Sequence, residues 1–176
     1  MASTASASDT GSQLYFECVE WLNHEAEILD DNKIREWFDE FVHAEIDYRV
    51  PIRVTRSRSE GAGFSEDGWH MLDDWGSLEA RVMRLETEYA WAEDPPSRAR
   101  RFVSNIRVRR GKTDDEVDLR SNLMIYRGRY DQPDFNLIVG ERQDALVRVD
   151  GAWKLRKRLV LLDHATLGTH NLALFL

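Results

Sequence analysis

The sequence predicts an α+β protein in which helices come first and a curved, mixed but mostly antiparallel sheet follows. Apolar residues recur at helical spacing up to Phe41, whereas apolar and polar residues alternate over long stretches after Phe102. The adjacent prolines Pro95 and Pro96 separate the two parts, because a Pro-Pro pair breaks a helix and holds the backbone extended. At 176 residues the chain can bury a core as a single domain.

The first helix is expected over residues 13–30 with Ser12 as its N-cap. It follows a Ser-, Ala- and Thr-rich stretch, residues 1–12, that we interpret as a flexible arm; residues 13–176 would form one α+β domain. Glu25 falls in the middle of the helix's apolar stripe, which suits a cone-shaped sheet with a pocket behind the helix. The apolar members of that stripe are Leu14, Cys18, Trp21, Leu22 and Leu29.

A short second helix is expected next, capped by Asp31 or Asn32. It would bury the apolar residues that stand at helical spacing, which are Ile34, Trp37, Phe38 and Phe41.

A strand, a loop and a third helix complete the first part of the chain. Residues 45–54 alternate as a strand does, and residues 56–68 have no period and many charges, which predicts an exposed loop. Asp73 or Asp74 is expected to start a helix that continues to about Tyr89.

Four strands are expected after the prolines, over residues 102–109, 117–125, 135–149 and 153–163. The last two are joined by Asp150-Gly151, and Asp-Gly between alternating segments is a strong hairpin signal.

Composition excludes several classes of partner. The net charge of −8 argues against nucleic acid and against an anionic membrane surface, since both need a basic footprint. The sequence shows no signal-peptide pattern and no apolar run of membrane-spanning length. We therefore expect a cytoplasmic protein.

The metal-ligating residues are few. The single cysteine, Cys18, excludes an internal disulfide and cannot build a zinc finger or an iron–sulfur cluster. Asp163, His164 and His170 form the only close cluster of possible ligands, but their spacing follows no helix face, and we interpret them as a strand-end loop. No cofactor and no metal are expected in this chain.

Glu25 is the residue whose position is hardest to explain, because a carboxylate on an apolar stripe is costly unless it is paired or solvated. It could be a general base in the cone, its pKa raised by burial, with Tyr48 or His24 as a partner. It could also be a structural carboxylate paired with an arginine or tyrosine of the sheet, and Tyr48 points inward by alternation. The second interpretation is favoured, since buried carboxylates are usually paired.

The segment around the prolines has the properties of a docking element, because charged residues flank a fixed backbone. Its candidate contact residues are Trp91, Asp94, Pro95, Pro96, Arg98, Arg100 and Arg101. The apolar end of the sequence, with Phe175 and Leu176, should be buried either in the chain's own core or against a partner.

Several segments in register resemble the small (beta) subunits of bacterial aromatic-ring-hydroxylating dioxygenases, the Rieske non-haem iron enzymes. They are His24–Asp31, Glu36–Phe38, Ile46–Arg53, Trp91–Ile106 and Asn171–Leu176, which together span nearly the whole chain apart from the arm.

This resemblance implies a cone-shaped fold of the type shared with nuclear transport factor 2 and scytalone dehydratase. It implies assembly of three small with three large subunits, in which the large subunit carries a Rieske [2Fe–2S] cluster and a mononuclear iron. Such enzymes add both atoms of O₂ to an aromatic ring, giving a cis-dihydrodiol, with electrons from NAD(P)H through a reductase and often a ferredoxin. The small subunit mainly holds the assembly together, so we expect the proline segment and the apolar end to contact other subunits.

Two further functions compete with that of a structural subunit. One is a stand-alone dehydratase or isomerase that uses Glu25 with Tyr48 or His24, and the other is a binding module of the nuclear-transport-factor type. Dependence on an iron-bearing partner separates the first hypothesis from both, because fold alone does not fix function.

Overall fold

Three helices and six strands are formed by the part of the chain that the structure, a computed structural model, describes: residues 7–57, 59, 61, 63–86, 97–128, 133–165 and 174–176. The helices are α1 (Ala7–Asp30), α2 (Ile34–Phe41) and α3 (Trp75–Glu86). The strands are β1 (Val42–Arg53), β2 (Phe64–Asp73), β3 (Arg98–Arg110), β4 (Glu116–Gly128), β5 (Phe135–Val149) and β6 (Ala152–Leu162).

The strands form one mixed sheet in the order β2-β1-β6-β5-β4-β3. Strands β1 and β6 pair in parallel, and every other neighbouring pair is antiparallel. The long strands β3 to β6 follow one another as a meander. Each has one buried and one outward face, so apolar and polar residues alternate along the sequence. The expected α+β class with a mixed, mostly antiparallel sheet is confirmed.

The hairpin between β5 and β6 confirms the Asp-Gly signal. Asp150 and Gly151 both have positive φ, 50° and 86°, which is the backbone that a two-residue turn between twisted strands requires.

Strand β2 is an element that the sequence analysis missed, since residues 64–68 were expected to be loop. The error has a physical cause: β2 is an edge strand with few buried side chains, so its composition is polar and its alternation weak. Strand β3 begins at Arg98, four residues before the expected start at Phe102. Its first residues were not recognised as a strand because β3 lies at the opposite edge of the sheet, where its outward-facing arginines contact solvent.

The first helix begins at Ala7, so residues 7–12 of the expected arm are helical. It ends at a capping motif in which Asn32 has φ 60°, its N–H donates to the Leu29 carbonyl (3.3 Å), and the Lys33 N–H donates to the Ile28 carbonyl (3.0 Å). Asn32 therefore terminates α1 and does not cap α2, whose N-cap is Lys33 without a side-chain bond.

The start of α3 at Asp74 is confirmed. The Asp74 carboxylate accepts the N–H of Ser77 (2.9 Å), and the Ser77 hydroxyl accepts the N–H of Asp74 (2.9 Å), a reciprocal cap. The helix is described to Glu86, and the remainder of its expected span, to Tyr89, lies outside the described residues.

The sheet has two distinct faces. We call the face that packs against α1 and α2 the inner face; it carries Leu123, Ile125, Leu146 and Val160, all fully buried or nearly so. The other, or outer, face carries the alternate residues of the same strands, among them Met124, Tyr126 and Leu137, which are exposed. Among the described residues, no helix is long and apolar enough to cross a membrane.

Candidate functional site

The interior of the cone contains a buried ion pair between Glu25 of α1 and Arg158 of β6. The two terminal guanidinium nitrogens of Arg158 donate to the two carboxylate oxygens of Glu25, from Nη1 to Oε1 (2.8 Å) and from Nη2 to Oε2 (2.9 Å). This bidentate geometry is the strongest arrangement that an arginine makes with a carboxylate. It ties the first helix to the middle of the sheet.

Arg158 has no donor left over. Its Nε donates to Oδ1 of Asp144 (2.8 Å), Nη2 also donates to Oδ2 of Asp144 (2.9 Å), and Nη1 also donates to the main-chain oxygen of Leu176 (3.0 Å). With the two bonds to Glu25, all five N–H groups of the guanidinium have partners.

Two more side chains complete the cluster around Glu25. Nη1 of Arg142 lies 3.1 Å from Oε2 of Glu25, and Nη2 of Arg142 lies 3.5 Å from Oδ2 of Asp144. The indole Nε1 of Trp37 donates to Oε1 of Glu25 (3.1 Å). We call Glu25, Asp144, Arg142 and Arg158 the inner ionic cluster; it has two charges of each sign and is therefore neutral.

The electrostatics of the cluster decide the protonation of Glu25. Burial by itself would raise the pKa of this carboxyl group, but Arg158 and Arg142, with the hydrogen bonds from Arg158 and Trp37, lower it to about 2. Asp144 and Glu25 in turn hold the pKa of Arg158 well above its ordinary value, against the effect of its burial. Glu25 and Arg158 are therefore both charged at neutral pH.

A general base needs a pKa near the working pH and a proton within reach. Glu25 has neither, because its pKa is lowered and its two oxygens accept bonds from Trp37, Arg158 and Arg142. The expectation of a raised pKa at Glu25 is wrong. The competing expectation, a structural pair with an arginine of the sheet, is what the structure shows.

Tyr48 is fully buried, as its alternation predicted, but it is not the partner of Glu25. Its hydroxyl donates to the main-chain oxygen of Leu176 (2.7 Å) and accepts the N–H of the same residue (2.8 Å). Burial raises the pKa of this phenol, so it stays protonated as the donor to Leu176.

His24 does not face the cone interior. Its ring lies on Phe41, with centroids 5.4 Å apart, and its Nδ1 is 3.7 Å from Glu27. It lines an open groove of about 780 Å³ on the outside of α1, together with Trp21 and Trp153. The structure therefore brings together no acid–base set of Glu25, Tyr48 and His24, and it gives the dehydratase hypothesis less support than that of a subunit.

A second buried pair joins α1 to the edge strand β3. Asp30 accepts the side chain of Arg101 at Nη1 (2.7 Å) and also the Arg101 main-chain N–H (3.0 Å). Nη2 of Arg101 donates to the main-chain oxygen of Phe175 (2.7 Å). Arg101 thus holds two parts of its own chain together.

The residues expected to contact other subunits divide into three groups. Arg101, Phe175 and Leu176 are buried in this chain's own core, so their observed role is internal and corrects that expectation. Arg98 and Arg100 are exposed on β3. Trp91, Asp94, Pro95 and Pro96 lie outside the described residues.

Sequence reasoning missed Arg142, Asp144 and Arg158, although a signal was present. Arg142 and Asp144 stand in phase with Ile138 and Leu146 along β5, so period-two alternation already placed charges on the inner face. Arg158 stands in phase with Val160 and Leu162 of β6 in the same way.

The residues of this chain do not fit the iron groups of a Rieske dioxygenase. A Rieske centre is held by two cysteines and two histidines, and the chain has one cysteine, Cys18, which is buried and whose pKa burial raises to about 11. Within the described ranges there is also no group of three His, Cys, Asp or Glu side chains that could hold a metal ion.

Helices followed by a six-stranded mixed sheet are the architecture of the cone-shaped fold shared by nuclear transport factor 2 and scytalone dehydratase. A profile of one family, the ring-hydroxylating beta subunits, matches residues 24–169. The chain belongs to this family and is a subunit of a ring-hydroxylating dioxygenase.

Solved structures agree with this membership. Naphthalene 1,2-dioxygenase with indole bound in its active site is 26% identical, with a TM-score of 0.84 over 98% of this chain and 95% of that one. The beta subunit of benzoate 1,2-dioxygenase from Burkholderia mallei is 20% identical, with a TM-score of 0.61 over 92% and 93% of the two chains, and is similar in fold. So is a Novosphingobium aromaticivorans protein provisionally described as a scytalone dehydratase, at 15% identity and a TM-score of 0.65 over 89% of each chain.

Proposed function

We propose that this chain is the non-catalytic, structural small subunit of a terminal dioxygenase that cis-dihydroxylates aromatic hydrocarbons in the cytoplasm. The large subunit supplies the Rieske cluster and the mononuclear Fe(II), and three copies of each subunit assemble. Electrons reach the large subunit from NAD(P)H through a reductase and a ferredoxin. The observation that carries the non-catalytic role is the inner ionic cluster, in which Glu25 is fully bonded to this chain's own side chains.

A contiguous apolar patch on the outer face supports a role in assembly. Five large apolar side chains of β3, β4 and β5 are exposed there by 38% to 54% of their surface, namely Phe102, Met124, Tyr126, Phe135 and Leu137. The register pairs Phe102 with Met124 and Tyr126 with Leu137, and the rings of Tyr126 and Phe135 lie 5.3 Å apart. Apolar and aromatic groups so arranged are typical of the buried centre of a protein–protein interface.

The edge of this patch is basic. Arg100 pairs in register with Tyr126 and Arg98 with Gly128, so both arginines border the patch along β3. They are two of the residues that the sequence analysis assigned to subunit contacts. Nη1 of Arg100 lies 3.7 Å from Oδ2 of the buried Asp30, but the Arg100 side chain remains 66% exposed. On a chain of net charge −8, this exposed basic group favours a partner with acidic groups nearby. The large subunit is the partner that we assign to this surface.

The experiment has two stages. A tagged copy of the chain is first recovered gently from its own cells and weighed by native mass spectrometry. Recovery with an equal amount of a larger, iron- and sulfide-containing chain supports the proposal. Recovery alone or as a homodimer without iron contradicts it.

The second stage tests the patch. Phe102→Ser with Leu137→Ser should reduce co-purification of the large subunit at least tenfold, because apolar side chains at the centre of an interface carry most of its binding free energy. Asp118→Ser with Lys157→Ser, two exposed outer-face positions outside the patch, is the matched control and should leave recovery unchanged. Equal recovery with both double variants would place the interface elsewhere without affecting the first stage.

A further inference from the structure

The interior of the cone is occupied by three residues from the end of the sequence, Leu174, Phe175 and Leu176, which we call the 174–176 segment. All three are buried, and Leu176 has no exposed surface. They lie between α2, β1, β3 and β6, the elements that carry their hydrogen-bond and ring partners Trp37, Tyr48, Arg101 and Arg158.

The main chain of this segment is held by side chains. Tyr48 donates to the Leu176 oxygen and accepts from the Leu176 nitrogen, Arg158 donates to the same oxygen, and Arg101 donates to the oxygen of Phe175. Strands and helices bond main chain to main chain, whereas the main chain of this segment is bonded by side chains. The three side chains here come from β1, β3 and β6.

The aromatic ring of the segment packs against a single tryptophan. Phe175 stacks on Trp37 with ring centroids 4.6 Å apart and an interplanar angle of 26°. Trp37 is fixed in place because its Nε1 donates to Glu25. The ring is therefore recognised by a preset surface.

The donors are preorganised independently of the segment. Arg158 is held by both oxygens of Glu25 and both of Asp144, and it directs one remaining N–H at Leu176. Arg101 is held by Asp30 and directs its other terminal nitrogen at Phe175. Donors that are fixed before a ligand arrives bind it without an ordering cost.

We propose that the cone interior is a ligand-binding site for a short apolar peptide with a central aromatic residue, and that the 174–176 segment occupies it as an intramolecular ligand. Tyr48, Arg101 and Arg158 bind the peptide main chain, and Trp37 binds the ring. This inference concerns the isolated chain and stands apart from the proposed function, because it makes no use of the outer face or of the large subunit.

The test uses the full-length chain with Leu174→Gly, Phe175→Gly and Leu176→Gly, which removes the competing side chains. N-acetyl-Leu-Phe-Leu is titrated calorimetrically into this glycine variant and into the unaltered chain. The variant should bind one peptide, and the unaltered chain should bind at least a hundredfold more weakly, because its own segment competes at an effective concentration in the millimolar range. N-acetyl-Leu-Ala-Leu should bind the variant at least tenfold more weakly than the Phe peptide, since it cannot stack on Trp37.

Every outcome decides the matter. A folded variant that gives no binding heat with the Phe peptide, or equal affinity for the Phe and Ala peptides, overturns the proposal. If the glycine variant has lost its near-ultraviolet circular dichroism, the Phe peptide must restore it saturably, and failure to do so also overturns the proposal.

Tyr48→Phe supplies an independent check on the site. It removes the hydroxyl that both donates to and accepts from Leu176, so it should weaken peptide binding to the glycine variant roughly tenfold. It should lower the urea midpoint of the unaltered chain by more than that of the peptide-free glycine variant, because in that variant the main chain of residue 176 is no longer anchored by apolar side chains. Equal shifts in both backgrounds would mean that the hydroxyl only packs in the core, and would contradict the proposal.

Discussion

Each face of this sheet departs in part from the usual arrangement of polar and apolar residues over β3, β4, β5 and β6. The inner face buries the inner ionic cluster and Arg101, whereas the outer face exposes Phe102, Met124, Tyr126, Phe135 and Leu137. Both arrangements are costly in an isolated chain: buried charges lose their hydration, and exposed apolar surface orders water. The cost on the inner face is offset within the chain, by the salt bridges described above. The cost on the outer face has no such offset within the described part of the chain, which is why a partner subunit is expected there.

The comparison also separates two kinds of specificity. Four buried charges with a unique bonding pattern fix how α1 sits on the sheet, because any other register would leave a charge unpaired. The outer patch consists of exposed apolar side chains that make no such pairing among the described residues, and in our proposal it selects the partner subunit.

The largest expected effect is a break in the inner ionic cluster. Arg158→Met should lower the free energy of unfolding by about 3–5 kcal/mol, because it leaves Glu25 and Asp144 buried with only Arg142 as a counter-charge. Arg156→Met, two residues away on β6, removes a half-exposed pair with Glu116 and should cost less than about 1 kcal/mol. Urea unfolding of both variants checks the contrast, and similar losses would show that the cluster contributes no more than a surface pair.

Acid should lower the free energy of unfolding through the inner ionic cluster. The pKa of Glu25 is about 2 in the folded protein and 4.5 in its ordinary state, so the unfolded chain takes up the proton first. The contribution of Glu25 to stability is complete above pH 4.5 and is lost as the pH falls from 4.5 towards 2, by on the order of 2–3 kcal/mol. Urea unfolding across this range should show that Glu25→Gln, although less stable at neutral pH, loses less on acidification than the unaltered chain. Parallel curves would contradict this.

The smallest expected effect on stability concerns the outer face. Leu137→Thr on the outer face should change the free energy of unfolding of the isolated chain by no more than about 0.5 kcal/mol, since the side chain is already half exposed. Ile138→Thr, its inward-facing neighbour on β5, is the control and should cost several times more, because it buries a hydroxyl group in place of an ethyl group. A large loss from Leu137→Thr would mean that the outer face supports the fold itself.

Much of the fold could be predicted from local pattern. The helical spacing around Cys18, Leu22 and Trp37 and the Asp150-Gly151 turn determined elements that the structure confirms. Strand β2 could not be found in this way, because an edge strand with few buried residues has little need of alternating hydrophobicity. The cap at Asn32 was assigned to the wrong helix because an asparagine can end one helix as readily as it begins another.

The candidate site was predictable only in part. The anomaly of Glu25 on an apolar stripe was visible in the sequence, and so were the in-phase charges of Arg142 and Asp144. The sequence pattern did not show which of these charges would pair, because pairing depends on strand register. The register of β5 and β6 places Asp144 opposite Arg158. Arg101, Phe175 and Leu176 were assigned to subunit contacts but lie in the interior, because their positions also depend on contacts between distant parts of the chain.

The sequence by itself determined the class of fold, the absence of a cysteine set for a Rieske centre, and the alternation that gives the sheet two faces, because composition and period are local properties. Only the tertiary structure decided that Glu25 is a paired carboxylate, that Tyr48 binds the main chain of Leu176, and that five apolar side chains form a patch on the outer face. These facts depend on contacts between residues more than 100 positions apart, such as Glu25 with Arg158 and Tyr48 with Leu176. The packing of one element against another sets such distances, and no local pattern encodes them.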